Sequence, residues 1–327
     1  MTAPLDVDTS ATSATPEAVL QGQPAISIEG RSLGQIAWMR LKRDKVAMAG
    51  GVVILVLVFI AVFAPMLARL EGQQPNVFHT DLLNRDLGGP PNGSYGGMSS
   101  RHWLGVEPSN GRDIFARIIY GARISLLIAL LATVVSVVIG STLGVTAGYF
   151  GGKIDAAISR LMDVLLAFPQ LLFSIALVGI VPTNFPRTVL LVIVIGFFGW
   201  PYIGRIIRGQ ALSLREREFV DAARSLGASN NHILFKQLLP NLVAPILVYS
   251  TLIIPTNILT EAALSYLGVG VKQPTSSWGD MLSQAVQWST TDPAYMAVPG
   301  IALFITVLAF NLLGDGLRDA LDPRAGR

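Results

Sequence analysis

Few side chains in this chain could do chemistry, and their types exclude most covalent mechanisms. There is no cysteine, which removes disulfides, thiolate nucleophiles, zinc–thiolate sites and iron–sulfur clusters together. The three histidines, His79, His102 and His232, are too scattered to suggest a metal site. An intramembrane serine protease would need histidine at membrane depth, and all three fall in loops or near chain surfaces. No Gly-x-x-x-x-Gly-Lys-Ser/Thr run occurs, so the chain carries no phosphate cradle of that kind. What remains is a set of charged residues in or beside long apolar runs. Glu261 lies inside one, where an ionisable group is costly and often functional; lining a passage and capping a neighbouring helix end are both open to it. Arg160 and Asp163 are three apart on one helix face, as a surface ion pair or as a gate.

The elements that must position these groups are membrane spans. The 327 residues are 51% hydrophobic and 14% charged, against about 25% charged in a soluble domain. Six apolar segments, near 46–68, 122–147, 158–181, 188–210, 241–267 and 295–317, each approach the roughly 20 residues a bilayer-spanning helix needs. The fold class is therefore all-α integral membrane. Six crossings put both termini on one side, and 16 of the 24 Lys and Arg residues fall there. By the positive-inside rule that side is the cytoplasm. Arg40, Lys42, Arg43 and Lys45 directly precede the first run, as the basic flank of an uncleaved anchor. The net charge of +3 thus reflects orientation in a lipid bilayer and not nucleic-acid binding.

The division expected along the chain is a disordered cytoplasmic tail (1–35), a basic flank and first span (36–68), a long outer loop (69–121), a core of five spans (122–317) and a cytoplasmic tail (318–327). Pro65, Pro169, Pro201, Pro245, Pro255 and Pro299 fall within spans, as kinks or as hinges. Gly140, Ser141, Gly144 and Gly148 form a small-residue stripe that implies close helix packing.

The largest inner loop, 211–240, has its own pattern. Glu216, Glu218 and Asp221 sit where acids favour a helix N-terminus. Phe219, Val220, Ala222, Ala223 and Leu226 give an apolar side, and Gly227 can end the helix in a left-handed conformation. Ser229 then caps a second helix through Ile233, Leu234 and Leu238, expected to stop at Pro240. An amphipathic hairpin of no special role fits these residues equally.

Here a resemblance enters. Asp221-Ala222-Ala223, Gly227 and Leu239-Pro240 resemble the EAA loop of ABC importer permeases, with Asp in place of the usual Glu and no isoleucine before Leu-Pro. A literal Glu261-Ala262-Ala263 lies inside a span. His102-Trp103-Leu104-Gly105, Gly111-Arg112-Asp113, Tyr120 to Leu126, Gly148 to Gly152, Ala167-Phe168-Pro169, Glu261 to Gly268, Trp278-Gly279 and Leu321-Asp322-Pro323 are similar to the "C"-type permease of the dipeptide/oligopeptide family. The resemblance covers about residues 35–325.

It implies the six-helix type I (MetI-like) importer permease fold. It also implies a translocation path for peptides or similar small solutes, shared with a second homologous permease. Two cytoplasmic ATPases would carry the ATP and Mg, none being bound by this chain, and an extracytoplasmic substrate-binding protein would deliver the solute. Glu218, Phe219, Asp221, Ala222, Ala223, Arg224, Leu226, Gly227, Ala228, Leu239 and Pro240 would be the coupling surface. Ala223→Arg or Gly227→Pro should then abolish uptake without preventing insertion. Glu261, Asp163 and Arg160 are candidates for the path, and Trp103, Asp113 and Trp278 for the face that meets the binding protein. The alternative from another class is an ion-driven secondary transporter, which usually shows inverted repeats and paired intramembrane charges.

Overall fold

The computed structural model of the protein describes residues 33–182 and 184–321. The expected N-terminal tail thus lies outside the described residues up to position 32, as do Asp322, Pro323, Arg324 and Arg327. Regular structure among the described residues is helical, as it must be where no water satisfies backbone groups. Helix α1 (Leu33–Arg43) already begins inside the stretch assigned to the tail. Asp44 then starts α2 (Lys45–Glu71), its carboxylate accepting from the Val46 and Ala47 N–H groups at 2.9 and 3.1 Å.

Five helical stretches are long and apolar enough to cross a membrane. They are α2, α3 (Ile114–Phe150), α6 (Arg187–Arg215), the continuous run Asn230–Tyr266, and α11 (Pro293–Leu321). The single span expected at 158–181 is instead two helices, α4 (Gly152–Ala167) and α5 (Gln170–Ile180), meeting at 86°. The cause is local. Pro169 pushes Phe168 out of the helical region, to φ −83° and ψ 137°, and its ring supplies no N–H to continue the ladder. Pro65, Pro201, Pro245, Pro255 and Pro299 stay inside unbroken helices.

The expectation that Pro240 stops a helix is likewise corrected. A short α8 (Asn230–His232) runs through a π-helical turn (Ile233–Leu238) into α9 (Leu239–Tyr266). Pro240 falls inside this continuous run, directly after the π-helical turn, and does not end it.

Helices α3 and α6 form the central pair, and the glycine stripe explains why. A Cβ on Gly140 would sit 2.7 Å from the Trp200 carbonyl, and one on Gly144 would sit 2.6 Å from the Gly204 carbonyl. The Ser136 hydroxyl adds a bond to the Gly196 carbonyl at 2.9 Å. Helix α9 joins through Asn257, which donates to Thr133 of α3 at 2.9 Å. Helix α2 turns Ala47, Gly50, Ala61, Ala64 and Ala68 inward and leaves Leu55, Phe59 and Val62 exposed, the arrangement of a lipid-facing helix.

Candidate functional site

The inner hairpin is built from the end of α6. After Arg215 the chain turns into α7 (Glu218–Ser225), with Glu218 and Asp221 in its first turn and Arg224 in its last. Gly227 adopts φ 79°. The Ala228 N–H reaches back to the Ala223 carbonyl at 3.0 Å and the Gly227 N–H to that of Arg224 at 2.9 Å. These are the paired bonds of a Schellman ending. Ser229 caps α8, its hydroxyl accepting from the His232 N–H at 3.4 Å.

Two α7 side chains face the protein. Val220 and Ala223 join Ile207, Ala211, Ile233, Leu238 and Leu242 in one core cluster. Burying a valine contributes about 1.5–3 kcal/mol, so α7 is seated. Glu218, Phe219, Asp221, Ala222, Arg224, Leu226 and Gly227 face outward, and Leu226 is 88% exposed. Ala223 is thus not part of an approachable surface, and arginine there would break packing. Ala228 and Leu239 are half-buried. Leu239 lines a small cavity of about 130 Å³ with Ser141, Thr142 and Phe235, and Pro240 lies exposed beside it.

The hairpin is tied to α3. Tyr149 donates its hydroxyl to Asn230 Oδ1 at 2.8 Å, and the Arg224 guanidinium lies 5.8 Å from its ring. Arg215 donates to the Gly148 and Tyr149 carbonyls at 3.5 and 3.4 Å, closing the end of α3. Motion of α7 would therefore act on α3 and α6 together.

Between α4 and α6 the partners differ from those expected. Asp163 pairs with Arg205 at 2.6 Å and not with Arg160, which is exposed. Asp155 is gripped by both Nε and Nη2 of Arg208, the latter at 2.7 Å. Neither Asp155 nor Arg208 had been singled out. Fifty-three residues separate them, and the one available signal was an arginine just inside an apolar run.

Glu261 is fully enclosed. Ser265 donates to its carboxylate at 2.8 Å, and the hydroxyls of Ser125 and Ser277 also face it. Ser277 is the N-cap of α10 (Trp278–Ala285), so the helix-end alternative fits the geometry.

On the outer side, Asp113 and Trp278 are buried and Trp103 is half-exposed. Asp113 caps α3, accepting from the Ala116 N–H at 2.7 Å, and pairs with His102 Nδ1 at 2.8 Å. Burial pushes the Asp113 carboxyl up and His102 down. Trp278 donates its indole N–H to the Ile118 carbonyl at 3.0 Å. Neither presents a face to a partner.

The sequence reading also missed a buried charge cluster. Glu107 lies 2.7 Å from Arg112 and 2.5 Å from Arg117, and accepts from the Tyr295 hydroxyl at 3.1 Å. Arg112 reaches Gln273 and Gln284, and Arg117 lies 3.4 Å from Asp280. This cluster fastens the outer segment to α3, α10 and α11. No group of three or more His, Asp or Glu among the described residues could hold a metal ion.

The structure is a bundle of long apolar helices with a polar hairpin seated against it. The chain belongs to the binding-protein-dependent transport system inner membrane component family, whose model matches residues 140–327. The N-terminal TM domain of oligopeptide transport permease C matches residues 32–89.

Among its relatives is the dipeptide transport system permease protein DppC of Alkalihalophilus pseudofirmus, 40% identical over 288 residues, or 88% of this chain and 89% of the relative. Another is the glutathione transport system permease protein GsiD of Escherichia coli O157:H7, 39% identical over 309 residues, or 94% and 96%. The fold matches the inward-facing MetNI methionine ABC transporter with a TM-score of 0.52 at 20% identity, covering 63% of this chain and 96% of that one. The protein is therefore a multi-pass inner membrane permease subunit of an ABC importer with the MetI-like fold. The ion-driven alternative is set aside.

Proposed function

We propose that this permease, paired with a homologous second permease, forms the path for dipeptides, oligopeptides or similar small solutes. Two cytoplasmic ATPases, which hold the ATP and Mg, drive it, and an extracytoplasmic binding protein supplies it; the chain itself hydrolyses nothing. Both termini and the 211–240 loop face the cytoplasm, the 69–121 segment faces outward, and 122–317 is the permease core. The relatives named for dipeptide and glutathione transport support a small peptide as cargo.

One observation carries the coupling role. Helix α7 turns Val220 and Ala223 into the core and leaves a mixed face of Glu218, Phe219, Asp221, Ala222, Arg224 and Leu226 uncovered. A seated helix with an exposed leucine between charges suits a protein groove. Closure of the ATPases would push α7, and Tyr149 and Arg215 would pass the motion to α3 and α6. A ligand-driven shift of this kind requires different contacts in the two states. Arg160 and the Asp163–Arg205 pair are proposed to face the inner mouth of the path. Glu261 is proposed to hold the start of α10 on α3 and α9. Trp103 is proposed for the binding-protein face.

The test is a mild-detergent pull-down of tagged protein with mass spectrometry and an ATPase assay. Recovery of a second permease and ATPase subunits, with the ATPases lost from Leu226→Asp and Ala222→Arg, is the expected result. A lone protein without ATPase activity, or full recovery from both variants, would overturn the docking role.

A further inference from the structure

Helix α1 takes no part in the coupling hairpin, and Trp38, Lys42 and Arg43 on it are exposed. Ala37 and Leu41 pack with Ala47 and Ala320, supported by Met48, Leu313, Leu317 and Leu321. Helix α1 therefore lies against the last turns of α11. Its 11 residues make a rod about 16 Å long.

Gly34, Trp38 and Lys42 follow at successive i, i+4 steps and share a stripe. Trp38 is 52% exposed, and the Lys42 ammonium lies 5.2 Å from its ring centroid. Lys42, Arg43 and Lys45 are all exposed. The one acid among them, Asp44, is already engaged in capping α2. Immediately beyond, Val46, Val52, Leu55 and Val56 begin the exposed apolar face of α2. Lipid chains covering that face bring headgroups to the level of Lys42, Arg43 and Lys45.

We infer that α1 is an interfacial helix that binds anionic phospholipid headgroups, with Trp38 at the acyl boundary and Lys42, Arg43 and Lys45 on the phosphates. An aromatic ring with an apolar body and a polar edge suits headgroup depth. Each basic residue near an anionic surface is worth about 1 kcal/mol, or about fivefold in association. The site would select lipid charge and not merely lipid. Only the choice of leaflet rests on the orientation proposed above.

The chain has no cysteine, so Gly34→Cys provides a unique label site. A Cβ at Gly34 meets nothing within 4 Å. The full-length permease with its co-purifying partners, labelled there with a fluorophore, is placed in nanodiscs holding brominated phosphatidylglycerol or brominated phosphatidylcholine. Stronger quenching by the anionic lipid is expected, its preference falling about fivefold in each of Lys42→Gln and Arg43→Gln. Equal quenching by the two lipids would overturn the inference. Label shielding that disappears when the ATPase subunits are stripped away would also overturn it and assign the surface to them. In sealed vesicles, an impermeant maleimide on the same cysteine reports the leaflet separately. ATPase activity of the same preparations shows independently whether the permease reading stands.

Discussion

Ala223 and Leu226 stand three residues apart at the end of α7, yet Ala223 is buried and Leu226 is exposed. The first is packed with Val220, Ile207 and Ala211, and the second is 88% exposed. A motif read as one surface is thus divided into a buried seat and an exposed face. Leu226→Asp should abolish transport and co-purification of the ATPases while changing the melting temperature little, since surface substitutions usually stay within about 0.5 kcal/mol. Ala223→Arg should instead lower the yield of folded protein, because it forces a guanidinium into an apolar cluster. Size-exclusion profiles of the two variants separate these effects.

The glycine stripe makes a sharper prediction. Gly144→Ala puts a methyl 2.6 Å from the Gly204 carbonyl, whereas a Cβ at Gly209 meets nothing within 4 Å. Gly144→Ala should cost about 1–3 kcal/mol by overpacking. Gly209→Ala should be neutral or should stabilise α6 by up to about 1 kcal/mol. Thermal unfolding in one detergent orders the variants, and equal melting temperatures would contradict the close α3–α6 approach.

The outer charge cluster depends on Glu107. Its side chain is buried with those of Arg112 and Arg117, so Glu107→Gln leaves Arg112 without its counter-charge and Arg117 with only the more distant Asp280. Breaking a buried ion pair in this way costs about 3–5 kcal/mol. The 72–113 segment should then become sensitive to added protease, while α7-dependent ATPase binding is retained. Unchanged proteolysis would show that the segment is held by other contacts.

Asp280 gives the pH dependence its sign. Burial pushes its carboxyl from 3.8 to about 6, so the folded state favours the protonated form. Its contribution disfavours folding above pH 6 and eases as pH falls from 6 toward 3.8. Burial pushes Asp113 and Asp292 in the same direction. Melting temperature should therefore rise between pH 7.5 and 5.5 more steeply in the native protein than in Asp280→Asn. Parallel pH curves would refute the assignment.

How much could be read in advance depended on distance along the chain. The spans and the hairpin were legible because apolar runs, Gly227 and Ser229 act on near neighbours. The 86° break between α4 and α5 was half-legible: Pro169 marked a bend, but the length of the apolar run concealed that two helices share it. The pairing of Glu107 with Tyr295, 188 residues apart, was not legible at all. Nothing local in a glycine-rich loop says which distant helix will supply a hydroxyl. An ion pair between Arg160 and Asp163 was not formed, for the converse reason. Three-residue spacing permits a pair, and the fold offered Asp163 a partner on another helix.

That second helix carries the last prediction. Arg205 and Arg208 of α6 hold Asp163 and Asp155 of α4, and α6 leads directly into α7. The Asp163–Arg205 side chains are more than half exposed, whereas those of Asp155 and Arg208 are 18% and 30% exposed. Exposed pairs typically contribute about 0–1 kcal/mol, and a bidentate, better shielded pair contributes more. A double-mutant cycle on Asp155→Asn and Arg208→Gln should therefore give a coupling energy larger than the cycle on Asp163→Asn and Arg205→Gln. If α4 moves with α6 when α7 is pushed, the first pair should also change ATPase stimulation by the binding protein, and the second should not. Equal coupling in the two cycles, with stimulation untouched, would mean that α4 follows α6 through packing alone, chiefly through Met162 against Gly204.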